Sequence, residues 1–206
     1  MSNMEHVDIK TLPHPEKATL EGKNKFLGFW FFLGGETVLF GTLFATFIAL
    51  RNKVATGPSS QELFSLPMTF LSTMILLVSS LTSVFAILAM KDHKIGKMRL
   101  WFWITVLLGL AFLILEITEF KEYLGEHLGY TTSAFSSSFY TLVGTHGGHV
   151  CFGILWISAL MIQSYKKGIT TVTDPKYYVA ALYWHFIDVV WVFIFTVVYL
   201  LGILGG

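Results

Sequence analysis

Residues 66–90 read LPMTFLSTMILLVSSLTSVFAILAM, a stretch of 25 residues without one charged side chain. A helix needs about 20 apolar residues to cross the hydrocarbon core of a bilayer, so this stretch predicts a transmembrane helix. Four other runs are long and apolar enough for the same role, namely residues 26–50, 99–120, 134–163 and 177–204. The sequence therefore predicts an all-α fold, an integral membrane bundle of five transmembrane helices. Residues 1–25 are predicted to form a polar tail ahead of this transmembrane domain, which covers residues 26–206.

The overall composition also indicates a membrane protein. Hydrophobic residues make up 54% of the 206 residues and charged residues only 13%, whereas soluble domains carry about 25% charged residues. So few charges exclude a water-soluble monomer. The 14 Lys and Arg side chains are matched by 13 Asp and Glu and form no basic block, which excludes nucleic acid as a partner. The single cysteine, Cys151, excludes an intrachain disulfide and a paired-cysteine metal site.

Positive charges are distributed unevenly between the two sides of the predicted bundle. Eleven Lys and Arg residues fall in segments 1–25, 91–99 and 164–176, and three fall in the segments on the opposite side. Cytoplasmic segments of membrane proteins carry the excess of positive charge, which predicts a cytoplasmic N-terminus and an external C-terminus. The tail has neither the basic start nor the apolar core of a signal peptide, so we interpret it as a cytoplasmic tail.

Small side chains at helical spacing predict where the helices pack closely. Helices in lipid associate through residues that let their backbones approach. Three such seams are predicted: Gly34, Gly41 and Ala45 in the first run; Ser72, Ser79, Ser83 and Ala86 in the second; Thr141, Gly144 and Gly148 in the fourth. The prolines lie outside the runs or in a first helical turn, so the helices are expected to be unbroken.

Acidic and histidine side chains inside the apolar runs are the candidate functional residues, because ionisable groups are costly in lipid. There are seven of them: Glu36, Glu116, Glu119, His146, His149, His185 and Asp188. No Lys or Arg accompanies them. Some of the four carboxyl groups must therefore be neutral, hydrogen-bonded or close to water.

Glu36 lies near the middle of the first run, on the helical face that carries Phe29, Phe32, Phe40 and Phe47 and opposite the small residues. An acid surrounded by phenylalanines is hard to ionise. Two interpretations stay open. The carboxyl is either held protonated for a proton pathway, or it is a neutral acid bonded to a hydroxyl or a backbone carbonyl of a neighbouring helix.

Glu116 and Glu119 lie one helical turn apart near the external end of the third run. A paired-carboxylate acid/base site is one interpretation. The favoured interpretation is that Glu119 reaches the headgroups while Glu116 forms a structural pair with His146 of the next helix.

The histidines allow more than one interpretation. His146 and His149 are one turn apart, which suits either a metal or two hydrogen bonds across a tight helix contact. His185 and Asp188 have the same spacing, and we expect them to satisfy each other or to bind a neighbouring subunit. A metal needs more ligands, so we predict structural polar pairs, with no catalytic residue and no metal site. Metal or haem ligation by these histidines stays open as the alternative.

Three motifs carry a family resemblance. They are GGETVLF at residues 34–40, GTHGGHV at residues 144–150 and YWHFIDVVW at residues 183–191. In this order they resemble subunit III of the haem–copper terminal oxidases, the cytochrome c oxidase subunit 3 family. The resemblance runs from about residue 26 to the C-terminus. The stretch LEGKNKFLGFW at residues 20–30 is similar to the short Bacillus-type form of that subunit.

The resemblance implies a non-catalytic, multi-pass subunit of a bacterial aa3-type cytochrome c oxidase in the cell membrane. Such an enzyme is a proton-translocating oxidoreductase of the respiratory chain that couples aerobic electron transport and dioxygen reduction to proton translocation. The subunit itself would hold no haem or copper, which belong to partner subunits. It would bind phospholipid, support proton uptake and stabilise subunit I. Glu36 matches the carbodiimide-sensitive glutamate of the family.

The family also indicates the partners. They are oxidase subunit I, subunit II, a small subunit IV and membrane lipids. The long form of subunit III has seven helices, and this chain lacks the first two. In similar short forms those helices are fused to subunit I, so a lipid cleft would be completed between chains.

Other functions remain as alternatives. The nearest is subunit III of a quinol oxidase of the same superfamily, because the electron donor is chosen in other chains. A membrane cytochrome would use His146 or His149 with another histidine as haem ligands. A small transporter is disfavoured, because the sequence contains neither an internal repeat nor a pair of broken helices.

The charge count generates a topology prediction. A reporter fused after Gly206 should lie outside the cell, and a reporter inserted in segment 91–97 should lie in the cytoplasm, because the positive charges hold that side inside. Paired alkaline phosphatase and fluorescent protein fusions measure both positions. A cytoplasmic signal after Gly206 together with an external signal in segment 91–97 would overturn the orientation.

Overall fold

The fold is described from a computed structural model of the chain, which describes residues 20–54, 66–125, 129–167 and 174–204. Within these residues the secondary structure is helical and contains no strand. The long helices are α1 (Leu20–Leu50), α2 (Leu66–Lys91), α3 (Ile95–Gly125), α4 (Ala134–Lys167) and α5 (Asp174–Ile194). In the described part of the chain, five helices are long and apolar enough to cross a membrane. The predicted all-α fold with five membrane-spanning helices is confirmed.

The helices extend beyond several of the predicted boundaries. Helix α1 begins at Leu20, so residues 20–25 of the predicted tail are helical, while residues 1–19 lie outside the described part. Helix α3 begins at Ile95 and ends at Gly125, beyond both limits of the predicted run at residues 99–120. An apolar run marks only the part of a helix that lipid surrounds. The helix itself continues into water because its backbone hydrogen bonds are internal.

Helix α5 lies in the interior of the bundle, where it packs against α1, α2 and α4. Helices α2 and α3 form the most extensive pair, and α4 packs against both α3 and α1. We call the end of the bundle that contains Leu20 and Lys91 the N-terminal end, and the end that contains Leu50 and Gly125 the C-terminal end. At the C-terminal end the amide of Phe135 donates a hydrogen bond to the carbonyl of Lys53, 3.3 Å away.

Trp184 of α5 occupies the space left by two glycines. A Cβ atom added to Gly109 of α3 would lie 2.7 Å from the Trp184 ring, and one added to Gly153 of α4 would lie 3.0 Å from it. The indole N–H donates to the Ser79 hydroxyl of α2, 3.0 Å away. One side chain therefore connects four helices. The sequence prediction did not identify Gly109 or Gly153.

The predicted seam of α2 is buried at all four of its residues, Ser72, Ser79, Ser83 and Ala86, and the Ser79 hydroxyl contacts Trp184 of α5. Two turns beyond Trp184, the Trp191 indole donates to the Thr73 hydroxyl at 3.0 Å. The Thr73 hydroxyl in turn donates to the carbonyl of Thr69, 2.8 Å away. Its donor and its acceptor sites are both used, which is how a hydroxyl is buried in an apolar bundle at low cost.

The predicted seam of α1 is not a contact within this chain. Gly34, Gly41 and Ala45 are exposed, and a Cβ atom on either glycine would meet nothing within 4 Å. The face of α1 that packs inward is the opposite one, with Phe40 and Phe47 buried. The expectation of a seam within this bundle was wrong, because small residues show where a helix can be approached and do not identify the partner.

The last helix changes its winding near the C-terminal end. After α5 the chain continues as a π-helical segment, Phe195–Leu200, and ends in a short α-helical turn, α6 (Leu201–Leu204). The predicted run 177–204 contains no proline, so an unbroken α-helix was expected there. The helix is continuous, but residues 195–200 are π-helical and not α-helical. A π turn contains more residues than an α turn, so it rotates the side chains that follow. Tyr199 consequently points inward and contacts Trp191 and Phe139.

The contact between Gly109 and Trp184 generates a stability prediction. In Gly109→Ala the added methyl group would overlap the Trp184 ring, which Gly153 and Ser79 hold in place. Overpacking of this kind costs about 1–3 kcal/mol. The temperature at which the purified membrane complex loses this subunit should therefore fall.

Gly144→Ala is the matched control, because a Cβ atom at Gly144 meets nothing within 4 Å and alanine favours a helix. If complexes with Gly109→Ala and Gly144→Ala retained the subunit equally on heating, the absence of a side chain at Gly109 would not be required for the packing of Trp184.

Candidate functional site

The best-defined polar contact in the bundle joins α1 to α4. Nε2 of His149 lies 3.0 Å from Oε2 of Glu36, and Nδ1 of the same ring lies 2.7 Å from the backbone carbonyl oxygen of Thr145. The side chains are largely shielded, with 15% of Glu36 and 20% of His149 exposed. Phe40 packs edge-on against the imidazole, with ring centroids 5.1 Å apart.

These contacts restrict where the protons lie. A carbonyl oxygen only accepts hydrogen bonds, so Nδ1 of His149 must carry a hydrogen that points at Thr145. Nε2 is then either a lone-pair acceptor facing a protonated Glu36 or an N–H facing a Glu36 carboxylate. In both arrangements the pair holds one proton between the carboxyl and Nε2, and its net charge is zero. The neutral acid bonded to a hydroxyl or a carbonyl, one of our two interpretations, is not what the structure contains.

A groove borders this pair. It has a volume of about 410 Å³ and is formed by α1, α4 and α5. Its lining residues are Phe32, Thr145, Gly148, His149, Phe152 and Tyr183. The Tyr183 hydroxyl donates to the backbone carbonyl of His149 at 3.2 Å, which ties α5 to the same turn of α4. The groove thus combines aromatic walls with one polar end.

Glu119 does not reach the headgroups, and that expectation was wrong. It is 4% exposed and points into the bundle. Its Oε1 accepts a hydrogen bond from the Tyr123 hydroxyl one turn later and another from the Thr69 hydroxyl of α2, 3.4 Å away. The sequence reasoning missed Tyr123, although its spacing of four residues places it on the same helical face as Glu119.

Glu116 and His146 do not form the hydrogen-bonded pair that we predicted. Glu116 is 5% exposed and His146 is fully buried. Neither carboxyl oxygen and neither ring nitrogen has a hydrogen-bond partner among the described residues. The Glu116 carboxyl instead packs on Gly147, whose added Cβ atom would lie 2.8 Å from Oε1. The imidazole of His146 packs against Trp191, with ring centroids 5.1 Å apart.

The predicted pair of His185 with Asp188 is also not hydrogen-bonded. Nδ1 of His185 contacts the Ser80 hydroxyl of α2 at 2.6 Å. Asp188 is 5% exposed, and neither of its carboxyl oxygens has a hydrogen-bond partner in the described part of the chain. Ser80 also lies close to the Asp188 carboxyl. The hydrogen bond between Trp184 and Ser79 aligns α5 with α2. The next residue on each helix, His185 and Ser80, is then in contact, so the imidazole bonds to the Ser80 hydroxyl and not to Asp188.

The histidines are poorly placed for a metal or a haem iron. Within the described ranges no three His, Cys, Asp or Glu side chains form a group that could hold a metal ion. Both ring nitrogens of His149 are hydrogen-bonded, Nδ1 of His185 is bonded to Ser80, and the His146 ring is packed between Phe112 and Trp191. An axial haem ligand needs a free ring nitrogen that faces open space.

A family model described as cytochrome c oxidase subunit III matches residues 14–203. The chain belongs to this family. It is 64% identical to cytochrome c oxidase subunit 3 of Bacillus sp. (strain PS3) over 98% of each chain. It is 62% identical to cytochrome c oxidase subunit 3 of Bacillus subtilis (strain 168) over the full length of both. Quinol oxidase subunit 3 of Bacillus subtilis (strain 168) is 47% identical over 98% of this chain and 100% of that relative.

Membership of the cytochrome c oxidase subunit III family confirms the resemblance drawn from the three sequence motifs. It makes the chain a subunit of a terminal oxidase complex in a bacterial membrane, where it crosses the bilayer several times. The structure brings the first two motifs together, because Glu36 of the first contacts His149 of the second. Tyr183 of the third motif contacts the same turn of α4.

The contact between Glu36 and His149 generates the prediction for this subunit III site. Glu36→Gln should keep the contact, because the amide N–H can donate to Nε2 while Nδ1 remains bonded to Thr145. Glu36→Leu should leave Nε2 without a partner, at a cost of about 1–3 kcal/mol. The fraction of subunit retained in the purified oxidase during heating should therefore fall for Leu and stay near wild type for Gln. If the Glu36→Gln complex lost as much of the subunit as the Glu36→Leu complex, a hydrogen bond donated by residue 36 to Nε2 of His149 would be contradicted.

Proposed function

We propose that this chain is the non-catalytic subunit III of a bacterial aa3-type cytochrome c oxidase. The observation that carries the proposal is the identity of 64% and 62% to two proteins named cytochrome c oxidase subunit 3, against 47% to a quinol oxidase subunit 3. The match runs along almost the whole chain in each case. Cytochrome c is therefore favoured over quinol as the electron donor of the complex. The quinol oxidase subunit III remains the second candidate, with the same role inside its complex.

A non-catalytic role agrees with the chemistry of the buried histidines. His149 uses both ring nitrogens in hydrogen bonds, and His146 is enclosed by aromatic rings. Dioxygen reduction requires haem and copper, and the proposal assigns these to partner subunits. The chain would be held by subunit I, beside subunit II and a small subunit IV.

The pair of Glu36 and His149 is the proposed proton-related site. It holds a proton between an acid and an imidazole, and the imidazole lines an open groove. A group of this kind can accept a proton at one position and release one at the other while its net charge stays at zero. We propose that it supports proton supply to the neighbouring catalytic subunit.

The groove beside this pair is the proposed lipid site. Its aromatic walls suit an acyl chain of a phospholipid, which would lie against Phe32 and Phe152. The face of α1 that carries Gly34, Gly41 and Ala45 is exposed. Helices of subunit I would cover α1 and complete the cleft. We place the N-terminal end of the bundle in the cytoplasm on the basis of its positive charges.

Removal of the subunit tests the proposed function. Oxidase purified without this chain should keep its haem and copper absorption, because those groups are assigned to other subunits. Its rate of dioxygen reduction should fall more steeply than that of the complete enzyme as pH rises, because protons become scarcer and their supply limits turnover. The enzyme should also inactivate sooner during turnover. Steady-state rates across pH, with and without the subunit, provide the measurement.

Two outcomes would decide against the proposal. Loss of the haem signal on removal of the chain would make it a cofactor-bearing subunit. Identical pH profiles and lifetimes would remove the role in proton supply and leave only a structural one. Complexes that contain Gly144→Ala serve as the control for effects of expression, because this change meets no neighbouring atom within 4 Å.

A further inference from the structure

Two buried side chains on facing helices have hydrogen-bonding atoms that no described residue uses. They are Glu116 of α3, with both carboxyl oxygens, and His146 of α4, with both ring nitrogens. Glu116 is 5% exposed and His146 is fully buried. Buried polar atoms are paired in the large majority of cases, with protein groups or with ordered water. Four such atoms in one place call for a partner.

The packing around the two side chains places them beside each other. The Glu116 carboxyl lies against Gly147, the residue that follows His146, so close that a Cβ atom there would be 2.8 and 2.9 Å from its oxygens. The His146 ring contacts Phe112 at 5.9 Å between ring centroids. Phe112 lies one helical turn before Glu116 on the same face of α3. The acid and the imidazole therefore border the same stretch of the α3–α4 contact.

We propose that Glu116 and His146 bind an internal water molecule that connects α3 to α4 and lets the acid and the imidazole exchange a proton. A buried water makes about three hydrogen bonds to groups that would otherwise be unpaired. A protonated carboxyl can donate to the water and a neutral imidazole nitrogen can accept from it. In the transfer the carboxyl O–H bond breaks, its proton joins the water oxygen, and the water gives one of its own protons to the ring nitrogen. A carboxylate and an imidazolium result, and the total number of protons is unchanged.

The surroundings give this site neighbours that also bind protons. Glu119 lies one turn after Glu116 on α3, His149 lies one turn after His146 on α4, and Tyr199 faces the site from the π-helical segment. Glu119 and His149 each have hydrogen bonds of their own, to Tyr123 and to Glu36. This site is separate from the groove and from the proposed role of Glu36.

A water site of this kind can be observed directly in the assembled oxidase. High-resolution cryo-electron microscopy of the complete complex should show a density peak at about 2.7–3.2 Å from a carboxyl oxygen of Glu116 and from a ring nitrogen of His146. The peak should be lost in Glu116→Leu, which removes one partner without adding a polar group. It should persist in Glu122→Gln, the control on the exposed side of the same helix. A wild-type map with both side chains resolved and no peak between them would overturn the proposal.

Exchange of the Glu116 proton with water, which the proposed transfer requires, is tested by infrared spectroscopy of the same complexes. The carbonyl stretch of a protonated Glu116 should shift when the enzyme is transferred to D2O, and the band should be missing in Glu116→Gln. Glu116→Gln also covers the case in which the leucine variant does not assemble, because an amide can still hold the water and its map should keep the peak. A Glu116 band that does not shift in D2O would show a dry carboxyl and would also overturn the proposal. Neither result depends on turnover, so failure here is distinct from failure of the proposed function.

Discussion

Trp184 fills the space left by Gly109 and Gly153, and this contact sets the depth of α5 relative to its neighbours. The indole fits between α3 and α4 at this depth because a side chain at Gly109 or Gly153 would overlap the ring. Its N–H then selects Ser79 on α2. Lipid provides no hydrophobic force between helices, so close packing of this kind and hydrogen bonds between helices hold the bundle together.

Once the depth of α5 is set, the polar contacts along α2 follow from it. Ser80 follows Ser79 in α2, and His185 follows Trp184 in α5, so these two meet next. Trp191 reaches Thr73, further toward the C-terminal end. The two helices run in opposite directions, which is why higher numbers on α5 meet lower numbers on α2. The same register leaves Asp188 without a described hydrogen-bond partner, although it lies one turn from His185.

The sequence was sufficient to predict the helices. It was insufficient to predict which side chains of one helix contact another helix. Apolar runs identify helices because lipid imposes a length. The phenylalanines on the face of Glu36 did not establish its direction, since Phe40 and Phe47 are buried whereas Phe32 is 43% exposed. The contact of Glu36 with His149, the inward direction of Glu119 and the outward direction of Gly41 all depend on how each helix is rotated about its axis. Rotation is set by contacts between distant parts of the chain, which the spacing within one helix does not contain. The π-helical segment has no proline or other local signal to predict it.

Glu119 and Glu36 differ in how the absence of a cation beside them is compensated. Glu119 receives hydroxyl donors from Tyr123 and Thr69, whereas Glu36 faces an imidazole. Hydroxyl donors stabilise a charge and leave it in place. An imidazole can neutralise the charge by giving up a proton, which matters for a carboxyl inside a bundle that lipid surrounds. Since the Thr145 carbonyl holds Nδ1, a proton shared within this pair lies on Nε2 or on Glu36. The pair has a net charge of zero in either arrangement, which lowers the cost of placing an acid inside the bundle.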